Sequence, residues 1–136
     1  MAKISFRLVM PERELVNIEA DMVVVPGVEG DFGAQHGHAP LISIVRPGVL
    51  EVIQGSKVEQ RFMVVGGFAE VTPERCTVLA ERALPVAELD RSGAERAIAE
   101  ARENLAQAKT DAARAVAENE IAVGEAAIAA MESNVY

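Results

Sequence analysis

The character of the chain changes at Pro85. All six prolines lie at or before that position, among valines and glycines, whereas fifteen alanines fall between Ala94 and Ala130. Proline and β-branched residues oppose a helix and alanine favours one, so one kind of element cannot run through both parts. The expected organisation is a β domain over 1–86 and a helical domain over 87–136. With 136 residues, half of them apolar, the chain has enough for one ordinary core plus a small appendage.

The first part reads as a series of short strands. Ile4, Phe6, Leu8 and Met10 alternate with Lys3, Ser5 and Arg7, the pattern of a half-buried strand. Leu15, Val16 and Ile18 predict a second short strand that stops at a polar break over 19–21. Met22 to Val25 is apolar without alternation, which predicts a strand covered on both faces. From Gly27 to Leu50 the glycines at 27, 30, 33 and 37 favour tight turns, and Pro40 and Pro47 bracket the apolar run Leu41–Val45, so a loop-rich rim feeding into strands is expected. Gly48 to Gln54 and Val58 to Val65 are spaced as a hairpin about Gly55-Ser56. Gly66-Gly67 then predicts a bulge or a corner, followed by strands over 68–72 and 76–80 with a turn at Pro73-Glu74. Short strands at this spacing argue for an antiparallel sandwich or barrel.

The second part reads as two helices. Asp90 or Ser92 can cap the first, with capping-box spacing from Ser92 to Glu95, and Ala94, Ala97 or Ile98, Ala101, Leu105 and Ala108 form a narrow apolar stripe. Arg91–Glu95 and Arg96–Glu100 have ion-pair spacing. Lys109-Thr110-Asp111 interrupts, with Asp111 as the expected cap of a second helix whose stripe runs through Val116, Ile121, Gly124, Ile128 and Met131. Small alanine faces allow close approach, and an antiparallel hairpin follows.

A formal charge of -8 disfavours a nucleic-acid groove, which needs clustered cations. Without an 18-residue apolar run or a basic-then-apolar leader, direct membrane insertion is not expected, and one cysteine, Cys76, fits a reducing compartment. His36 and His38 with Asp31 are too few for a metal shell, the rim glycines lack the Lys-Ser/Thr of a phosphate loop, and Cys76 alternates with Val78 as a core residue would. No nucleophile and base stand together, so contact rather than catalysis is expected, with no cofactor.

The segments GVEGDFG, GHAPLIS, RPGVLEV, VVGGFAEV and TVLAERA, followed by an LD pair opening the helical tail, resemble in order the epsilon subunit of the bacterial proton-translocating ATP synthase. The resemblance implies a ten-stranded β-sandwich followed by a two-helix hairpin, seated on the central stalk. Its implied partners are the gamma subunit along one side, the ring of c subunits at one end, and the alpha and beta subunits of the catalytic head through the hairpin. The place would be the cytoplasmic face of the inner membrane, held peripherally. The c-ring contact carries over to Gly30, Asp31, Phe32 and Gly33, with His38 on the neighbouring turn. The implied duty is to clamp ring to gamma so that proton-driven rotation reaches the catalytic head.

The chain departs from this family in its tail. Some members bind ATP through a pattern resembling L/I-D-x-x-R-A; here Leu89-Asp90-Arg91-Ser92-Gly93-Ala94 has glycine where the arginine belongs, leaving Asp90 and Arg91 as weak candidates. From Glu88 to Tyr136 there are ten acidic and five basic residues, which steers the tail poorly towards an acidic target. Two alternatives stand beside the rotor subunit: an ATP-sensing or inhibitory regulator acting through the hairpin, and a free-standing sandwich adaptor with a dimerising tail.

Overall fold

A computed structural model describes residues 2–133. The chain forms two compact units, the first running through Val86 and the second beginning at Ala87.

The first unit holds ten strands: β1 (Ile4–Met10), β2 (Arg13–Ala20), β3 (Met22–Gly27), β4 (Gly30–Ala34), β5 (Leu41–Ile44), β6 (Gly48–Gln54), β7 (Lys57–Val65), β8 (Phe68–Val71), β9 (Arg75–Leu79) and β10 (Arg82–Pro85). They make two five-stranded sheets, ordered β2-β1-β9-β8-β5 and β10-β7-β6-β3-β4. Alternation places the core: Ile4, Phe6 and Leu8 of β1 are fully buried with Val71, Cys76 and Val78 from the first sheet and Val23, Val25, Leu50 and Val52 from the second. All pairings are antiparallel except β1 with β9, which run parallel with Phe6 opposite Cys76 and Leu8 opposite Val78.

Several expectations from the sequence need correction. β2 does not stop before Glu19, because its register with β1 continues to Ile4 opposite Ala20, and only Asp21 breaks the chain. β3 alternates after all: Val23 and Val25 are buried, Met22 and Val24 only partly. The rim is mostly strand, since β4 pairs with β3 along its whole length despite two glycines and an aspartate. β10 was hidden by Pro85, which an edge strand tolerates at its end.

Gly66 and Gly67 form a corner. Both have positive φ, 72° and 91°, and they carry the chain from β7 in one sheet to β8 in the other. The bulges fall elsewhere, between Leu8 and Val9 and between Val52 and Ile53.

The second unit is an antiparallel hairpin of α1 (Arg91–Gln107) and α2 (Asp111–Glu132), preceded by a short 3-10 turn at Val86–Glu88. Asp90 occupies the N-cap position of α1 without a side-chain cap bond, and Ser92 lies inside the helix, so no capping box forms. α2 is capped by Thr110, whose hydroxyl accepts from the Ala113 amide at 3.0 Å, and not by Asp111, which opens the helix and pairs with Arg114. Ile98 and Ala101 carry the stripe of α1. On α2 it runs through Ala117, Gly124, Ala127 and Ala130, one residue round from Val116, which is 59% exposed. A Cβ on Gly124 would lie 2.5 Å from Ile98 Cγ1, so the glycine is the hole that receives the isoleucine. Arg91 reaches across to Glu132 at 2.9 Å and Arg102 to Glu125 at 3.5 Å. Arg91 also faces Glu95 at 3.7 Å, whereas Arg96 donates to Ser92 rather than pairing with Glu100.

Candidate functional site

The β3–β4 hairpin ends in a two-residue turn, Val28-Glu29, closed by Gly27 opposite Gly30. A Cβ on Gly27 would sit 2.8 Å from the Gly30 carbonyl oxygen and 3.0 Å from Ser43 Oγ, so only glycine lets the tip close this tightly. Of the residues expected at the ring contact, Gly30, Asp31 and Gly33 are exposed and Phe32 is half-buried against the core. These four lie in β4 rather than in a loop. His38 sits on the following turn, its ring 6.4 Å from that of Phe32, with Nδ1 donating to the Ala39 carbonyl oxygen at 2.6 Å. The structure therefore brings all five to one edge of the sandwich.

Arg46, which the sequence reading passed over, belongs to the same group. It lies where the chain crosses from β5 to β6. Its Nη2 meets Asp31 Oδ1 at 2.5 Å and its Nη1 donates to the Gly27 carbonyl oxygen at 2.6 Å. Its one sequence signal is that no other Lys or Arg occurs between Gly27 and Leu50.

Beside the tip runs an apolar row on the outer face of the first sheet. Cross-strand register sets Ile44 opposite Phe68, Phe68 opposite Leu79, and Leu79 opposite Val9. Ile44 is 67% exposed, Phe68 43% and Leu79 37%, with Ile42 beside them at 69%. An unbroken row of this kind is unusual on a surface that only water touches.

The other candidates lie apart from the tip in sequence, on the hairpin. Arg91 has its guanidinium donors turned to Glu132 and then Glu95, which raise its pKa, Glu132 most. Asp90 leans over Gly93, where a Cβ would meet Asp90 Oδ2 at 2.8 Å. Among the described residues no three of His, Cys, Asp and Glu converge as a metal site would require, and His36 is an exposed turn residue. Cys76 is buried in the core, and burial pushes its thiol up to about 12. No helix among the described residues is long and apolar enough to cross a membrane.

A ten-strand sandwich with one polar glycine tip, one apolar outer row and a separate helical hairpin defines a class. Residues 3–86 match the family model described as ATP synthase, Delta/Epsilon chain, beta-sandwich domain. The ATP synthase epsilon chain of Paramagnetospirillum magneticum is 58% identical over 93 residues, covering 68% of this chain and 70% of that protein. That of Rhodospirillum rubrum is also 58% identical, over 62% of this chain and 63% of its own length. A chain of the Euglena gracilis mitochondrial ATP synthase OSCP/F1/c-ring assembly superposes with a TM-score of 0.84 at 25% identity, over 96% of this chain and 82% of its own. The chain belongs to the ATP synthase delta/epsilon family, on its epsilon-chain branch, and is a component of the ATP synthase complex.

Proposed function

We propose that this protein is a non-catalytic rotor subunit of the central stalk, which couples proton-driven rotation of the c-ring to ATP synthesis in the catalytic head. The observation that carries the reading is the exposed row Ile44, Phe68 and Leu79, with Ile42 beside it. Covering these side chains would contribute on the order of 1 kcal/mol or more each, enough to hold a partner along one face. That face is assigned to gamma. The tip, with Gly30, Asp31, Phe32, Gly33 and His38, is assigned to the c-ring, where an exposed carboxylate on a stiff hairpin supplies a polar contact. Held this way, the protein sits at the cytoplasmic face of the bacterial inner membrane without entering it.

The pairing of a stiff apolar face with a charged tip suits force transmission, because torque passes only through contacts that do not yield. The test is capture of purified gamma and of the c-ring by the full chain. Ile44→Asp is expected to lose gamma and keep the ring, Asp31→Ala to weaken the ring and keep gamma. If neither variant changes capture or ATP-driven proton pumping in reconstituted complexes, the rotor reading fails. A stable homodimer that excludes gamma would favour the adaptor instead.

A further inference from the structure

We propose that Arg46 is a positioning residue that ties the tip to the strand carrying the apolar row, making the two contact surfaces one rigid piece; the inference rests on the rotor reading above. β4 and β5 are edge strands of different sheets, and no ladder joins them. The β3–β4 hairpin is joined to the end of β5 by one isolated bridge, Gly27 at the close of β3 opposite Val45, made by two backbone hydrogen bonds, Val28 N–H to the Ile44 carbonyl at 2.9 Å and Arg46 N–H to the Pro26 carbonyl at 2.9 Å. Such a seam on the open side of a sandwich would breathe.

The Arg46 guanidinium closes it by gripping two acceptors on the hairpin at once, the Gly27 carbonyl and Asp31 Oδ1. The planar fork aims a separate nitrogen at each acceptor in a fixed geometry, whereas a lysine ammonium offers its three donors from a single flexible point. The residue two before Arg46 is Ile44, the member of the apolar row that stands on the edge strand β5. Asp31 spends one oxygen on Arg46 and, with its side chain 57% exposed, presents the other outward. A push on the tip is thereby delivered to β5 through charge-assisted hydrogen bonds rather than through a loose turn.

The experiment compares the full chain with Arg46→Met, Arg46→Lys and Asp31→Ala by amide hydrogen exchange, and then measures c-ring and gamma capture. In Arg46→Met the amides of residues 28 and 46 are expected to exchange about tenfold faster or more, since two charge-assisted bonds are lost. Those of Phe6 and Val78 in the core should stay as they are, which separates a loosened seam from general unfolding. Arg46→Lys should fall between. Equal exchange at 28 and 46 in Arg46→Met and the unaltered chain overturns the inference, whatever the ring does. Faster exchange with ring capture untouched in both Arg46→Met and Asp31→Ala supports the tether and removes the c-ring assignment instead.

Discussion

A Cβ on Gly67 would lie 1.7 Å from the Leu79 carbonyl oxygen, at a φ of +91° that L side chains rarely adopt. Backbone strain and a clash with backbone act together, so Gly67→Ala should cost on the order of 3 kcal/mol or more in urea unfolding. Gly55 has φ of +64° but open space around its missing Cβ, so Gly55→Ala should cost only about 1 kcal/mol. Two glycines that both hold positive φ thus differ because only Gly67 has backbone packed where a side chain would go. Cys76 gives a prediction of a different kind. Its folded pKa is raised from 9.0 to about 12 by burial. Between those values the unfolded chain has lost the thiol proton and the folded chain has kept it, so stability falls as pH rises, by about 1.4 kcal/mol per unit from this group. Unfolding measured from pH 8 to 11 should show that extra slope in the native chain and lack it in Cys76→Ala. The site residues show why a sequence yields only part of a site. Asp31 and Phe32 stand in a glycine-marked segment that draws the eye, but Arg46 is 15 residues away from Asp31 and nothing local announces the pairing. Only the register of β3 with β4 and the crossing after β5 bring them within reach.

Elements followed the sequence where hydrophobic period and turn chemistry agreed. β1 and β6 emerged with their expected bounds nearly intact because alternation and a Gly-Ser turn pointed the same way. β4 did not, since Gly-Asp-Phe-Gly-Ala has poor strand propensity and becomes a strand through pairing with β3. The parallel partnership of β1 and β9 was equally out of sight, because hairpin signals report only neighbours in sequence. On α2 the expected stripe held at Gly124, with Ile121, Ile128 and Met131 half-buried, and failed at its start: valine at 116 looked like the core residue, but close helix approach selects the smaller Ala117. The same closeness makes Gly124 a sharp test of the hairpin. Leucine is a good helix former, so any loss in Gly124→Leu reflects its collision with Ile98, expected at about 1–3 kcal/mol. Limited proteolysis of the full chain in the link over 108–110 should accelerate accordingly.

At the scale of the molecule, the composition change at Pro85 and the division into units at Val86 and Ala87 fall together, so where the chain turns from sheet to helix was legible before any contact was known. What each unit does was less so, because function depends on surfaces that register assembles. We propose that the acidic hairpin neither clamps ATP nor strongly restrains hydrolysis, given that Gly93 replaces the arginine and Arg91 is already engaged by Glu132 and Glu95. Removing residues 88–136 should leave the sandwich folded and the hydrolysis rate of the assembled complex essentially unchanged, and calorimetry with ATP on the full chain should register no binding. A large rise in hydrolysis, or a binding isotherm, would contradict this. The bond between β1 and β9 also bears on how the polypeptide is made. β1 can pair with β2 at once but meets Cys76 and Val78 only after most of the first unit has been translated, so one flank of that strand waits for its neighbour until late. Rare-codon pauses before that point would lengthen the interval in which that flank of β1 faces water.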